Sequence, residues 1–283
     1  MQISNNVYDI NQMLYFERQK GRKIGFVPTM GALHDGHLSL IREALNENDT
    51  VVSSIFVNPT QFNNINDLIN YPRMPETDLA MLNDAGCQYV FLPETNEIYQ
   101  PGESLLDIDF GYLEKTMEGY FRPGHFKGVA TVVDKLFRII SPSKAYFGEK
   151  DFQQLAIIWR MVQIMKHTVE IIGCPTLRES DGLALSSRNL LLNKGQRMEA
   201  PLIYKAINDA GKLIQKGELL SEVKKWVTEM LNASMFLKVQ YFEIVHPESL
   251  INIADDEKII EARGCIAVLT EGPRLIDNVA YHF

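Results

Sequence analysis

The stretch that most constrains this chain is TVVSSIFV, residues 50–57, a near-continuous β-rich run. A strand with one wet face alternates apolar and polar residues. A near-continuous run suits a strand covered on both faces, as in a parallel sheet. The segments before it agree. Residues 24–33, IGFVPTMGAL, begin as a strand and end in a turn, and residues 37–47 place Leu38, Ile41 and Leu45 on one helical face. Strand, helix and strand in that order predict a parallel pair with a right-handed crossover.

The alternation continues. The spacing predicts a helix over 76–85, a strand in QYVFLP (88–93) and a helix over 125–140, with Val129, Val132, Val133, Leu136 and Ile140 on its apolar side. A short strand, KAYFG (144–148), a helix over 151–166 using Phe152, Leu155, Trp159 and Val162, and a strand, VEIIG (169–173), follow. Strands alternating with helices predict a Rossmann-like, doubly wound α/β domain over residues 1–176. The texture then changes. Two helical stretches, about 195–216 and 219–233, precede the strand-like QYFEIVHP and CIAVLTEG, and the ending PRLIDNVAYHF could close a small sheet. Residues 177–283 are therefore expected to form a smaller, lid-like α+β domain.

Composition narrows the function. The 283 residues are 46% hydrophobic and 23% charged, ordinary for a folded globular protein and too apolar for a disordered one. A net charge of -8 argues against a nucleic-acid partner. Any bound anion needs positive charge organised locally at a site. Cys87, Cys174 and Cys265 are odd in number and lie at neither metal-ligand nor CxxC spacing. Reduced thiols in a cytoplasmic protein are expected, rather than a disulfide framework or a zinc site. MQISNNVYDINQMLYFERQK has neither the basic start nor the apolar core of a signal peptide, and no apolar run approaches the ~20 residues needed to cross a bilayer. No membrane partner is expected.

The most informative local segment is PTMGALHDGHLSL, residues 28–40, which joins the first strand to the first helix. A helix N-terminus offers unpaired N–H groups and the positive dipole end, so it suits phosphate. Glycine lets backbone approach a ligand closely. His34 and His37 could donate hydrogen bonds to a phosphate whose charge grows during attack. Two other readings stand beside this one: the imidazoles cap the helix, or they bind a metal, for which no third ligand is near in sequence. The segment is neither a Walker A loop nor GxGxxG.

HDGH resembles the His-x-Gly-His signature of the HIGH-motif nucleotidylyl transferase superfamily, and the longer PTMGALHDGH resembles the pantothenate synthetase (pantoate–β-alanine ligase) family. SIFVNPTQF (54–62), YPR (71–73), RPGHFKGVATVV (122–133), YFGEKDFQQL (146–155), DGLALSSRN (181–189) and RLIDN (274–278) carry the resemblance over nearly the whole chain, in family order. It implies an ATP-dependent ligase. Pantoate attacks the α-phosphate of ATP to give a pantoyl-adenylate and pyrophosphate, and β-alanine then takes the acyl group and releases AMP. It also implies a homodimer.

Residue by residue, the resemblance implies catalytic roles for His37, His34, Lys150 and Arg188, with the family's proton donor matching His37. ATP is expected against Met30, Gly31, Ala32, Leu33, His34, Asp35, Gly36 and His37, against Gly148, Glu149, Lys150 and Asp151, and against Leu177, Leu185, Ser186, Ser187 and Arg188. Pantoate is expected at Gln61 and Gln154, with Gln61 also touching β-alanine. An amide both donates and accepts, which suits pantoate's hydroxyls. Its methyls need an apolar wall, for which Met30 and Val132 or Val133 are candidates. Lysine suits phosphate as a mobile point charge, and serine hydroxyls with a guanidinium fork match phosphate oxygens. Asp151 could instead cap the following helix. Arg122 and His125 are expected to line or brace the β-alanine end, and Arg73 to be structural. Magnesium should accompany ATP, with Asp78 the protein-side candidate. Family members often have two adjacent acids where this chain has Thr77-Asp78, which weakens protein coordination of that ion. Two alternatives stand beside the ligase: another nucleotidylyltransferase of the superfamily, and a non-catalytic adenine-nucleotide-binding module.

Overall fold

The computed structural model describes residues 1–283. Six strands form one parallel sheet: β1 (Gln2–Ser4), β2 (Ile24–Thr29), β3 (Thr50–Ile55), β4 (Tyr89–Phe91), β5 (Lys144–Gly148) and β6 (Glu170–Cys174). Their order is β1-β4-β3-β2-β5-β6, and every neighbouring pair is parallel. The chain winds outward from β2 in one direction through β3 and β4, and in the other through β5 and β6. The sheet therefore reverses between β2 and β5, and the carboxyl ends of those strands are where such sheets gather ligands.

Both faces of the sheet are covered, as the run at 50–57 requires. Phe26 and Val52 enter a core that includes Ile10, Leu14, Phe126, Phe137 and Leu155. Val27 and Val51, one position along, enter a second core with Ile41, Ala44, Leu82 and Val90. The first core is built on α1 (Val7–Gln19), α7 (His125–Ile140) and α8 (Phe152–Met165), and the second on α2 (Asp35–Glu47) and α4 (Pro75–Asp84). Between these lie the short helices α3 (Ile65–Asn70), α5 (Thr95–Ile98) and α6 (Met117–Phe121).

The later part holds α9 (Lys194–Glu199), α10 (Pro201–Gln215) and α11 (Leu220–Asn232), then an antiparallel sheet of β7 (Lys238–Val245), β8 (Glu261–Leu269) and β9 (Leu275–His282). Its own core joins Ile203, Ile207, Val223, Val227, Phe242, Ile244, Ile266 and Tyr281. The molecule divides into two compact units. One is Met1–Glu114, Glu118–Glu149 and Gln154–Pro175; the other is Lys115–Met117, Lys150–Gln153 and Thr176–Phe283. Residues 150–153, placed with the first domain by the sequence reading, thus group with the second unit.

Two further differences from the sequence reading have local causes. The helix expected over 195–216 is two helices, because Pro201 lacks an N–H and starts a new helix at its first position. The N-terminal segment, for which no element was expected, contributes an edge strand and a 13-residue helix capped by Asn6, whose side chain accepts from the Asp9 amide.

Candidate active site

The turn after β2 is built around a buried carboxylate. Gly31 has φ 81° and Ala32 φ 49°, so two successive residues turn through left-handed backbone, which Ala adopts only under constraint. The constraint is Asp78 on α4, which is 1% exposed. Its Oδ2 accepts from the Ala32 amide at 2.9 Å and its Oδ1 from the Leu33 amide at 2.7 Å. A Cβ on Gly31 would stand 2.9 Å from the same Oδ2, so the glycine serves close approach as well as positive φ. Both carboxylate oxygens of Asp78, the residue expected to face magnesium, are thus engaged by backbone amides of the turn after β2.

His34 then caps α2. Its Nδ1 accepts from the Gly36 amide at 3.2 Å, while Nδ1 of His37 accepts from the His34 amide at 3.3 Å. Together they form a capping box with imidazoles in both roles, the ring centroids 4.1 Å apart. An amide N–H only donates, so each Nδ1 carries a lone pair, and in the neutral ring the proton sits on Nε2. Capping and ligand binding are therefore not rivals here. The cap selects the tautomer in which both rings have a donor on Nε2, at the positive end of a 13-residue helix. Asp35 is exposed and Gly36 half-buried in the first turn of α2.

The carboxyl end of β3 leads into a 3-10 turn, Pro59–Gln61, which holds Gln61 buried, with 8% of its surface exposed. Gln61 Nε2 donates to the Met30 sulfur at 2.8 Å, so the glutamine and the turn after β2 are adjacent. Its Oε1 accepts from Asn58 Nδ2 at 3.1 Å. Asn58 is 1% exposed. Its Oδ1 accepts from the Tyr99 hydroxyl at 2.8 Å and from Thr60 Oγ1 at 2.9 Å, and its Nδ2 also donates to the Gly128 carbonyl at 3.1 Å. These partners leave one orientation for the Asn58 amide, and hence one for Gln61: oxygen inward, NH2 toward Met30. The Gln61 carbonyl accepts from His125 Nδ1 at 2.7 Å and from Arg122 Nη2 at 3.4 Å, and Arg122 pairs with Glu118 at 3.6 Å. His125 and Arg122 thus brace the Gln61 turn. Gln154 lies half-buried near the start of α8, and Val132 and Val133 are buried on α7. Arg73 caps the end of α3 through the carbonyls of Leu68, Ile69 and Tyr71. Asn58, Tyr99 and Gly128 form the hydrogen-bonded surroundings of Gln61 and were not singled out from the sequence. Asn58 lay inside the quoted NPTQF string, whereas nothing in the sequence points from Tyr99 to position 58.

In the second unit, Lys150 and Asp151 sit in a 3-10 turn, Glu149–Asp151, with the Lys150 ammonium 3.6 Å from the Asp151 carboxylate. Asp151 ends that turn and directly precedes Phe152, the first residue of α8. Leu177 and Leu185 are joined by a backbone hydrogen bond of 3.0 Å that closes the base of the 178–184 loop. Ser186 caps the 3-10 helix Ser187–Leu191, its hydroxyl accepting from the Arg188 amide at 3.3 Å. Ser187 is buried and Arg188 half-buried. Gly148 and Glu149, half-buried at the end of β5, belong to the first unit.

A doubly wound sheet with a His-x-x-His capping box on the helix that follows β2, beside the point where the strand order reverses, is the arrangement of an α/β enzyme that resembles the HIGH-motif nucleotidylyl-transfer class. The chain belongs to the pantoate-beta-alanine ligase family, whose model matches residues 2–280. It is 48% identical over 281 residues to a pantothenate synthetase of Porphyromonas gingivalis strain W83, covering 99% of each chain. It is 44% identical, over the same share of both chains, to one from Bacteroides thetaiotaomicron. Among solved structures it resembles a pantothenate synthetase of Thermus thermophilus, with TM-score 0.92 and 42% identity over 99% of both chains. It also resembles the pantoate-beta-alanine ligase of Francisella tularensis in complex with Beta-gamma ATP and β-alanine, with TM-score 0.81 and 36% identity over 99% of this chain and 97% of that one.

Proposed function

We propose that this protein condenses pantoate with β-alanine using ATP, through a pantoyl-adenylate. One observation carries the reading: the His34–His37 capping box ends the first βα turn of a chain that matches the ligase family along residues 2–280. That extent favours the ligase over another nucleotidylyltransferase or a non-catalytic nucleotide-binding module.

In the first half-reaction a pantoate carboxylate oxygen bonds to the α-phosphorus of ATP and the bond to the β-phosphate bridging oxygen breaks, releasing pyrophosphate. The equatorial oxygens gain charge as the phosphoryl group passes over. The Nε2–H donors of His34 and His37, at the positive end of α2, answer that charge as hydrogen-bond donors. The backbone from Met30 to Gly36, held open by Asp78, gives the nucleotide a close approach. Lys150, Ser186, Ser187 and Arg188 are the groups proposed for the remaining phosphate oxygens, with Leu177 and Leu185 closing the loop that directly precedes Ser186. In the second half-reaction the neutral amine of β-alanine attacks the acyl carbonyl carbon; the C–N bond forms, the bond from that carbon to the phosphate oxygen breaks so that AMP departs, and the amine nitrogen gives up one proton to solvent. Gln61 presents its NH2 and Gln154 its amide to pantoate. Arg122 and His125 keep the Gln61 turn in place.

Magnesium is proposed to enter as the Mg2+ complex of ATP. The residues present do not form a protein cage for it, since Asp78 is committed to two backbone amides. The family resemblance also supports a homodimer and a cytoplasmic location.

The test is to incubate the protein with MgATP, pantoate and β-alanine, omitting each in turn, and to follow pyrophosphate and AMP. Pantoate-dependent pyrophosphate, with sustained AMP release requiring β-alanine, is the expected result. Turnover with a different acceptor alone would keep the chemistry and discard the substrate.

A further inference from the structure

The proposed phosphate lysine does not stand alone on its turn. Within the second unit, the Lys150 carbonyl accepts from Asn278 Nδ2 at 2.9 Å, across 128 residues of sequence. Asn278 is 5% exposed and lies on β9, opposite Cys265 of β8. Its backbone is held in turn. The Asn278 carbonyl accepts from Arg178 Nη2 at 3.2 Å, and its amide donates to Asp277 Oδ1 at 2.7 Å. Asp277, also 5% exposed, takes both arms of the Arg178 guanidinium, at 2.6 and 2.9 Å. A bidentate fork of this kind has one geometry and little freedom in a buried setting.

The same guanidinium reaches the other proposed phosphate segment. Arg178 Nη1 donates to the Gly182 carbonyl at 3.2 Å, its carbon lies 3.8 Å from the centre of the Tyr204 ring, and residue 178 forms a β-bridge with Ala184. Ser186, Ser187 and Arg188 follow directly. Two contacts fasten the start of α8, directly after the lysine turn. Arg263 of β8 stacks on Phe152 at 3.9 Å, and Gln153 donates to the Thr116 carbonyl at 2.9 Å. This accounts for the grouping of residues 150–153 with Thr176–Phe283, although they follow β5 in the chain.

We infer that Asn278 is a positioning residue for Lys150, and that the Arg178–Asp277 fork ties the Lys150 turn and the Ser186–Arg188 loop to the Asp277–Asn278 stretch of β9 as a single body. Asn278 touches no reacting atom in this assignment. It acts by fixing the backbone from which the Lys150 side chain projects. The inference rests on the proposed role of Lys150 toward ATP.

The experiment is a double-mutant cycle of Asn278→Ala and Lys150→Ala, read both by pantoate-dependent pyrophosphate release and by competition of MgATP against a fluorescent nucleotide. Loss of one buried hydrogen bond to the turn is expected to lower the adenylation rate about tenfold in Asn278→Ala. The apparent KM for β-alanine should stay unchanged, since that amine enters later. In the Lys150→Ala background the same substitution should have no further effect, because the group it positions is gone. A merely structural asparagine would lower both backgrounds by the same factor, and that result overturns the proposal. So does an Asn278→Ala enzyme within twofold of wild type, or a Lys150→Ala enzyme as active as wild type. Should the alanine variant unfold, Asn278→Asp keeps the volume and removes the donor, and is expected to show the same pattern. If wild type releases no pyrophosphate with pantoate, the ligase reading fails. The nucleotide competition then decides the positioning claim by itself: non-additive weakening of MgATP supports it, and additive or absent weakening overturns it.

Discussion

Gly128 is the position where a single methyl group should disturb the site most. It lies in the first turns of α7 against the 3-10 turn that carries Gln61. A Cβ built there would stand 2.4 Å from the Thr60 carbonyl oxygen, 2.7 Å from the Thr60 carbonyl carbon and 2.9 Å from the Gln61 Cα. All three are backbone atoms, so no side chain can swing away. Bringing the closest contact out to the 3.4 Å where ordinary van der Waals contact begins requires a displacement of about 1 Å. The helix resists, because His125, Phe126, Val129 and Ala130 around Gly128 are all buried. The Pro59–Gln61 turn therefore yields, straining the bonds from Asn58 to the Gly128 carbonyl and from His125 to the Gln61 carbonyl. Overpacking of this kind costs about 1–3 kcal/mol, or on the order of 5 °C in Tm for a chain of this size. A shift of roughly 1 Å in a substrate-positioning group can cost about 100-fold in rate. Gly128→Ala should therefore lower kcat/KM for pantoate by about 10- to 100-fold, with the KM for ATP within about twofold because the Asp78 turn is untouched. Steady-state kinetics in pantoate and in ATP, with a thermal melt on the same sample, measure all three quantities. A variant that melts within about 1 °C of wild type and keeps its pantoate kcat/KM would show that the turn is not wedged against α7 as described.

Three further substitutions test other parts of the site and the fold. Asp78→Ala leaves the amides of Ala32 and Leu33 without their acceptor, at about 1–3 kcal/mol each, so Tm and ATP affinity should both fall. Excess Mg2+ should restore neither, whereas rescue by the metal would return Asp78 to the role of ligand. His37→Ala should slow pantoate-dependent pyrophosphate release by about 10²–10³-fold, as loss of a charge-stabilising donor does, and a loss below about tenfold would sink that role. Glu17, buried near the amino ends of β3 and β4, is held down to a pKa of about 2, first by its hydrogen bond to Lys20 and then by Arg22 and Tyr89, against the upward pull of burial. A folded-state pKa below the ordinary 4.5 means stability that is complete above about pH 4.5 and lost as pH falls toward 2. Glu17→Gln should therefore melt well below wild type at about pH 6, with the gap closing between pH 4.5 and 2. A gap that stays constant from about pH 6 to about pH 3 contradicts this.

What the sequence determined by itself was whatever is written in local periodicity and turn chemistry. The two-sided burial of β3 is legible in TVVSSIFV, because the run carries no charge and lacks the alternation that a strand with one wet face shows. The amphipathic face of α7 and the small sheet formed by β7, β8 and β9 are legible for the same kind of reason. The His34–His37 pair was visible as a motif at a strand-to-helix turn, with capping and ligand binding both open. Helix α1 was not legible, since a charged residue, Glu17, occupies one of its few buried positions beside Ile10 and Leu14. Tertiary structure alone decided which role each polar group plays. Asp78 meets Ala32 and Leu33 across 46 and 45 residues, Asn58 meets Gly128 across 70, and Asn278 meets Lys150 across 128. A carboxylate reads the same in sequence whether it will face a metal, solvent or two backbone amides. Its partner is chosen by the packing that brings distant segments together and leaves buried polar atoms no alternative but to bond there.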